Sequence, residues 1–440
     1  MSYPALKELD LSDIPAFDAH THVDVKHLTA RGLHDILLYH MVVSDLYSAG
    51  CPDGARLPEE PDENEAVYRL ERAVPYIKYI QNTSCFSLVK KILYELYDWE
   101  DPITGKNWHL IHEKIKNKGV SHDWAREIMK KSNIIKINTE LWRGREGSFD
   151  SMMNYSLEWS FFTRSQWGRF DTALLELEHA WNHDAPAPPL PVTVNEENLK
   201  FTRKIKSIDD VQAAMKHYFD KIPFNRIITI ASHFSTDISY RRVTEGDMEK
   251  AIQLRHSAGP EERDIYANFV FEEFLKEFAA RGLDMPLQFS LAAEPLPYET
   301  GSKMRCETPF ELAEIIARYP GIKFNFFLAN MAQNQTFCTL ARELPNLSLN
   351  GYWWHNFFPS FIPHVLSERL DMLPINKQIG FFSDAYSLEW CYAKAGVIRY
   401  FTSRELYKRV ERGQFDTTTA RDIAGMLFGG TAARLFNLDL

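Results

Sequence analysis

The chain has 440 residues, with 45% hydrophobic and 25% charged side chains and a formal net charge of -10. These proportions are those of a globular protein and exclude a disordered one, and the acidic balance argues against a nucleic-acid-binding protein. The five cysteines include no CxxC pair, which argues against a disulfide framework and a cysteine zinc site. A polar, acidic N-terminus and the absence of an apolar run of ~20 residues predict a protein that does not enter a membrane and is most simply cytoplasmic.

Eight short runs predict β-strands, at residues 14–18, 134–138, about 158–163, 226–232, 286–291, 322–328, 347–351 and 378–383. Several of them, such as ITIAS and FNFFL, are apolar almost throughout, which is typical of parallel strands buried on both faces. Helical patterns lie between the later strands, and such alternation predicts repeated βαβ units. We therefore predict an α/β fold, a single (β/α)8 TIM barrel over residues 1–440. Residues from about 33 to 132 show only helical periodicity and are interpreted as a helical insertion after the first strand.

The segment DAHTH, residues 18–22, follows the first predicted strand. Residues two apart in an extended segment face the same side, so His20 and His22 can both point into the barrel mouth, where enzymes of this fold have their active sites. Two converging imidazoles suit a divalent metal, although an HxH pair also occurs as ordinary surface or core histidines. Asp384 closes the last predicted strand, where it can bind the metal, accept a proton, or cap the next helix.

Further polar and aromatic residues lie at or near other predicted strand ends. His233 ends the fourth strand and is interpreted as a third ligand, a substrate contact, or a hydrogen-bonded core histidine. The amide of Gln288, inside the fifth strand, can orient a substrate. Trp353 and Trp354 can wall a pocket or simply pack in the core. The remaining histidines, including His34 and His40, are interpreted as mostly structural, with the exception of His27, which lies five residues beyond His22.

These motifs together resemble the amidohydrolase superfamily, and within it the uronate (glucuronate) isomerases. That family opens with D-x-H-x-H and continues with a helical region that contains D-H-Y and a small-residue–Gly turn, for which DLYSAG at 45–50 stands here. Its later G-W-W-F-N segment is matched by GYWWHN at 351–356, and its G-x-x-T-D-S-R-S-F-L-S-Y segment by GFFSDAYSLEW at 380–390. The order and spacing agree from about residue 14 to the C-terminus.

The sequence departs from this family pattern at positions that are expected to contact the substrate. The family's arginine two positions after the strand-end Asp, which is expected to help hold the sugar-acid carboxylate, is Tyr386 here. A phenol offers one neutral donor and cannot replace a bidentate guanidinium. Arg164 or Arg169, in the segment TRSQWGRFD, is predicted to supply a cation instead. The histidine of D-H-Y becomes Leu46, and the family's fifth-strand histidine aligns with Gln288.

The resemblance implies an aldose–ketose isomerase that uses a divalent metal, expected to be zinc, and acts on a sugar acid or a related polyol. Asp384 or His27 would be the base that moves a proton through an enediol, with Tyr47 as a hydroxyl donor or acid. A metal-dependent hydrolase or decarboxylase with metal-activated water is the alternative, and the lost arginine keeps it open. A non-catalytic barrel is a third hypothesis, which the intact HxH and Asp384 argue against. The expected partner is a small-molecule substrate, and binding to nucleic acid or to a membrane is not expected. Assembly into a homo-oligomer is left open.

Overall fold

The computed structural model describes residues 8–55, 61–119, 121–144, 150–159, 172–183, 200–234, 239–255, 259–291 and 305–440. Eight parallel strands form one sheet in sequential order. They are β1 (Ala16–Asp18), β2 (Ile134–Glu140), β3 (Met153–Glu158), β4 (Thr229–Phe234), β5 (Pro286–Leu291), β6 (Lys323–Leu328), β7 (Leu347–Asn350) and β8 (Gln378–Ile379). Sequential order with parallel pairing is the arrangement of a TIM-barrel-like α/β fold, as predicted.

The third strand was predicted in the wrong place. It ends at Glu158, where the sequence pattern predicted that it begins, and residues 160–163 lie outside the described part of the chain. The reason is that MNYSLE is not an apolar run. One of its polar side chains is satisfied by the neighbouring strand, since the Ser156 hydroxyl donates to Thr139 O of β2 over 3.2 Å.

The chain closes the curled sheet just beyond the strands. After β8, the amide of Asp384 donates to His20 O over 2.9 Å, and the amide of His22 donates to Ala385 O over 2.8 Å. Directly after β8, the amide of Gly380 donates over 2.7 Å to the carbonyl oxygen of Leu427, which lies in a π-helical segment that contacts both β1 and β8. A Cβ atom at Gly380 would lie 2.8 Å from Leu427 Cβ, so this close approach favours glycine. The carboxyl ends of the first and last strands are thereby joined.

The described residues between β1 and β2 form seven α-helices. They are α1 (Leu33–Leu37), α2 (His40–Ser48), α3 (Glu63–Ala73), α4 (Ile77–Ile80), α5 (Ser84–Tyr97), α6 (Trp108–Lys118) and α7 (His122–Ser132). Local signals explain several boundaries, since the Thr83 and Ser121 hydroxyls accept from the amides of Phe86 and Trp124 and cap α5 and α7. The apolar faces of α5 and α7 pack on the long helix that follows β8.

The later helices cover the sheet from outside. They are α8 (Thr172–Trp181), α9 (Ile208–Lys221), α10 (Glu245–Gln253), α11 (Pro260–Ala280), α12 (Thr308–Arg318), α13 (Asn334–Glu343), α14 (Ile362–Met372), α15 (Leu388–Glu411), α16 (Thr417–Gly425) and α17 (Thr431–Phe436). In the described residues, no helix has the length and apolar character that crossing a bilayer requires.

A layer of buried amides crosses the inside of the sheet below the β1 end. Asn138 Nδ2 and Gln288 Nε2 each donate to Ala19 O over 3.2 Å. On the far side, Asn350 Nδ2 donates to Asn325 Oδ1 over 3.1 Å. Because buried amides are costly unless paired, these bonds fix the backbone between Asp18 and His20.

Candidate metal centre

Three side chains converge where the first and last strands end. His20 Nε2 lies 3.7 Å from Asp384 Oδ1, and His22 Nε2 lies 3.2 Å from the same oxygen. The alternation of the extended chain brings both imidazoles to one side, as the sequence predicted. Tetrahedral zinc ligands at 2.0–2.1 Å from the ion are separated from one another by about 3.3 Å. The convergence and the chemistry of the donors therefore fit a divalent transition metal.

The orientation of His22 is set by the last residue of β2. Glu140 is buried, and its Oε1 contacts His22 Nδ1, while its Oε2 lies 2.9 Å from Arg143 Nε. With Nδ1 engaged, Nε2 is the nitrogen that faces Asp384 and the proposed ion, which is the usual carboxylate–histidine–metal arrangement. Burial lowers the pKa of His22, but the charge of Glu140, together with Tyr386 and the hydrogen bonds to Asp384 and Glu140, raises that pKa well above its ordinary value.

Several hydrogen bonds fix the position of Asp384. Its backbone has a φ of 55°, in the left-handed region that aspartate tolerates better than most residues. Its main-chain carbonyl accepts from the Tyr39 hydroxyl over 2.7 Å, and the buried Lys394 ammonium donates to Tyr39 Oη over 2.8 Å and to Ser383 O over 2.6 Å. Trp353 Nε1 donates to Asp384 Oδ2 over 3.2 Å. These bonds stabilise a strained residue at the centre of the site.

The charges around Asp384 keep its carboxylate ionised. Burial alone raises the pKa of this group, but the hydrogen bond and charge of His22, followed by His40 and Lys394, hold the pKa well below its ordinary value. His20 behaves in the opposite way, because burial and then the charge of His22 lower its pKa to about 4. A neutral imidazole and an ionised carboxylate are the forms that bind a metal ion.

His40, at the start of α2, is among the histidines that were interpreted as mostly structural, and the structure places it beside Asp384. Its Nε2 lies 3.7 Å from Asp384 Oδ2, the oxygen that does not face His20 and His22. Its ring also lies 5.0 Å from the Trp354 ring and 5.8 Å from the Tyr386 ring, measured between centroids. The carboxylate of Asp384 therefore lies between the two candidate metal ligands, His20 and His22, and a third imidazole, that of His40.

Other predicted residues lie around this cluster. Tyr386 is 45% exposed and its ring stacks on His22, with 4.9 Å between centroids. His233 Nδ1 lies 2.7 Å from Ser290 Oγ, and its ring is 5.6 Å from Trp353. Gln288 is fully buried in the amide layer, below the mouth. His233, Trp353, Trp354 and Tyr386 therefore lie at the mouth. Gln288 instead stabilises the end of β1 through its hydrogen bond to Ala19 O.

The structure says less about the roles of the remaining predicted residues. His27 is in the loop after β1, where its amide donates to Asp24 O over 2.9 Å. Tyr47 is 47% exposed on α2, seven residues after His40, or about 10 Å further along the helix axis. Arg164 and Arg169 lie outside the described residues. The catalytic roles of His27 and Tyr47 stay predictions.

A second group, Glu63, His112 and Glu113, could also hold an ion by the spacing of its ligand atoms. Glu63 and Glu113 are exposed, and Glu63 Oε1 is already paired with Lys116 Nζ over 2.8 Å. Because a lysine neutralises one of its carboxylates, this surface cluster suits a metal less well than the cluster at the barrel mouth.

No protein-family model matches the chain, and no curated protein matches it in sequence. Solved structures do match over almost the whole chain. The glucuronate isomerase of Caulobacter crescentus superposes with a TM-score of 0.73 at 16% identity, covering 98% of this chain and 92% of that chain. The uronate isomerase of Thermotoga maritima gives 0.71 at 14% identity, covering 97% and 95%.

The protein has the uronate isomerase fold. The resemblance read from the motifs is therefore confirmed at the level of the fold. A candidate metal-dependent hydrolase of Lactobacillus casei is also similar, with a TM-score of 0.59 at 14% identity and 98% of both chains covered. The uronate isomerase fold thus places the His20–His22–Asp384 cluster at the carboxyl edge of a barrel, while the reaction has to be argued from the site.

Proposed function

We propose that the protein is a metal-dependent aldose–ketose isomerase that acts on a sugar acid or a related polyol. The proposal rests on the position of Asp384 between two groups of histidines: His20 and His22, which are candidate metal ligands, and His40. One oxygen of its carboxylate faces His20 and His22, and the other faces His40 and the Trp353 indole. A single carboxylate can therefore contribute to a metal centre and still present an oxygen to a substrate.

The chemistry needs a charge-stabilising centre and a proton carrier. His20, His22 and Asp384 would hold a divalent ion, which would supply Lewis-acid stabilisation of charge on the sugar oxygens. Asp384 takes the proton from one carbon and returns it to the next, which an ionised, firmly held carboxylate can do. His40, on the far side of the same carboxylate, can carry the hydroxyl proton. Trp353, Trp354 and Tyr386 line the mouth and offer apolar surface to the carbon atoms of a sugar.

The proposal also covers the identity of the metal, the helical insertion and the place where the protein works. We propose zinc as the ion, because two histidines and one aspartate are among its common ligands. We also propose that α1–α7 are an insertion in the barrel, with α2 bringing His40 to the mouth, and that the protein works in the cytoplasm on a small-molecule substrate. His27 remains the alternative base, and Tyr47 the alternative acid.

The test is conversion of D-glucuronate by the zinc-loaded protein in D2O. An enediol route exchanges the migrating proton with solvent, so we expect a ketose product that carries deuterium at the former carbonyl carbon. Turnover should approach an ordinary kcat of ~10 s⁻¹ and be abolished by Asp384→Asn. A panel with galacturonate and neutral aldoses would define the substrate class. The absence of turnover on every sugar would contradict the proposal.

A hydrolase is the second candidate, and Tyr386 favours it. The motif resemblance expects an arginine at that position, and a phenol ring stacked on His22 suits an uncharged substrate better than a carboxylate. Release of product from esters or amides by the zinc-loaded protein, together with inactivity on all sugar acids, would move the protein to this class. Isomerase activity without consumption of water would exclude it.

A further inference from the structure

A buried arginine holds the loop that carries Trp353. Arg369 is in the last turn of α14 and is 2% exposed. Its Nη1 donates to Gly351 O over 2.7 Å, and its Nε donates to Asn334 Oδ1 over 2.9 Å. Neither acceptor carries a charge, and burial lowers the pKa of Arg369. A buried cation without an ion pair is a poor stabiliser of a core, so stability alone does not explain this residue.

The loop that Arg369 holds follows β7 and is strained. Gly351 has a φ of 34° and Trp354 a φ of 47°, both in the left-handed region of the backbone. Glycine adopts that conformation readily, whereas an aromatic residue there needs support from its surroundings. Arg369 supports the turn at the carbonyl of Gly351, and the amide of Gly351 donates to Ile379 O over 2.8 Å. The first residue of the loop is therefore fixed through both of its main-chain polar groups.

This loop reaches the candidate metal centre through Trp353. The Trp353 ring packs 5.6 Å from the His233 ring and 5.6 Å from the Phe327 ring, measured between centroids. Its Nε1 donates to Asp384 Oδ2 over 3.2 Å. With Oδ2 engaged by the indole, Oδ1 is the oxygen that faces the two histidines of the centre. The direction of the Asp384 carboxylate thus depends on where the loop holds Trp353.

We infer that Arg369 is a positioning residue of the metal centre, because it fixes the strained loop from which Trp353 directs the Asp384 carboxylate. The inference rests on the proposed function, in which Asp384 both binds the metal and moves the proton. It adds to that site an arginine that lies outside the mouth and acts through another side chain. A change that loosens the guanidinium should therefore reach Asp384 through Trp353.

The first measurement requires neither zinc nor turnover. The indole N–H signals of the isotope-labelled, zinc-free protein are recorded by NMR, and the Trp353 signal is identified by its loss in Trp353→Phe. A lysine ammonium lacks the planar fork that bonds Gly351 O and Asn334 Oδ1 together. We therefore expect the Trp353 indole proton to exchange with solvent about 3- to 10-fold faster in Arg369→Lys than in the wild type.

Zinc affinity, measured by competition with a chromogenic chelator, tests whether the effect reaches Asp384. Trp353→Phe removes the donor to Oδ2 and should weaken zinc binding by about 10-fold, the lower end of the range for a group that orients a metal ligand. Arg369→Lys should weaken it by about 3- to 10-fold. If Arg369 acts through Trp353, the double variant should bind zinc as weakly as Trp353→Phe alone, whereas independent effects would multiply to about 30- to 100-fold.

Two further variants make the test specific. Arg409→Lys is the matched control, because Arg409 is 4% exposed and its Nη2 also donates to a main-chain carbonyl, Ser367 O of α14, over 3.0 Å. It should leave the exchange of the Trp353 indole and the zinc affinity at their wild-type values. Asn334→Ala keeps Arg369 but removes the acceptor of its Nε, so it should shift both quantities in the same direction as Arg369→Lys. It replaces that variant if the lysine protein does not fold.

The outcomes separate the inference from the function on which it rests. Faster exchange in Arg369→Lys, with equal zinc affinities in Trp353→Phe and the double variant, supports it. Unchanged exchange in Arg369→Lys and Asn334→Ala would overturn it, because packing of the Trp353 ring would then be sufficient. Losses of zinc affinity that multiply would also overturn it, since Arg369 would then act on the fold in general. Failure of the wild-type protein to convert any sugar, with the expected exchange rates and zinc affinities, would instead contradict the proposed function and leave this role of Arg369 in place.

Discussion

Replacing Glu140 with glutamine removes a charge next to the proposed metal without removing a ligand. In the structure, the Glu140 carboxylate contacts His22 Nδ1 and lies 2.9 Å from Arg143 Nε. It therefore fixes the ring orientation of His22 and increases the electron density on the opposite nitrogen. A glutamine keeps the shape but turns one contact into a neutral hydrogen bond and can present its NH2 group to the wrong partner.

The expected magnitude follows from this geometry. Removing the outer carboxylate of a metal-binding histidine typically reduces metal affinity by about 10- to 100-fold, or about 1.4–2.7 kcal/mol. Breaking a buried ion pair costs up to about 3–5 kcal/mol of folding free energy, and an isosteric change is at the lower end. We therefore expect Glu140→Gln to lose one to two decades in zinc affinity while the protein remains folded.

Zinc affinity is measured by competition with a chromogenic chelator, and the free energy of unfolding by denaturant titration of the zinc-free protein. Glu272→Gln is the matched control: Glu272 accepts from Arg318 and from the Tyr319 hydroxyl, far from the mouth. It should affect stability alone. An affinity for zinc in Glu140→Gln equal to that of the wild type would refute the role given to this carboxylate, because His22 would then need no orienting partner.

Three other changes have defined outcomes. Lys394→Met leaves the buried Ser383 carbonyl without its ammonium donor and should lower the free energy of unfolding by about 1–3 kcal/mol; an unchanged denaturant midpoint would argue against this bond. Burial lowers the pKa of His233 to about 4, so the folded protein binds fewer protons than the unfolded chain, and stability should fall as the pH drops from 6.5 towards 4. The thermal midpoint of His233→Gln should be less sensitive to pH over that range, and parallel curves would contradict the assignment. His40→Asn should reduce kcat by about 10²- to 10⁴-fold with zinc affinity intact, and a wild-type kcat would remove His40 from the proton transfers.

The convergence of the three candidate metal ligands could be predicted because each lies at the end of a strand. His20 and His22 are two residues apart in an extended segment, and Asp384 follows the last strand, so local geometry and the barrel order together bring them to one place. Glu140 also lies at the end of a strand, but it was missed. The apolar pattern ends at residue 138, whereas β2 continues for two more residues. An acidic residue just beyond a predicted strand was the available signal.

His40 and Arg143 could not be predicted in the same way. His40 is on a helix more than 340 positions before Asp384, and its contact depends on how α2 packs over the mouth, which no local pattern encodes. Arg143 is in a loop, where periodicity carries no information about side-chain direction. The placement of β3 failed for a third reason: the segment is not apolar throughout, and Ser156 is stabilised by a hydrogen bond to the neighbouring strand, which the pattern does not encode.

The central claim is that His20, His22 and Asp384 form one metal centre. It is tested most directly by diffraction from zinc-loaded crystals at wavelengths on both sides of the zinc absorption edge. We expect one strong anomalous peak, within about 2.0–2.3 Å of a nitrogen of each histidine and an oxygen of Asp384. A peak at Glu63, His112 and Glu113 alone, with His22 still hydrogen-bonded to Asp384 under saturating zinc, would contradict it.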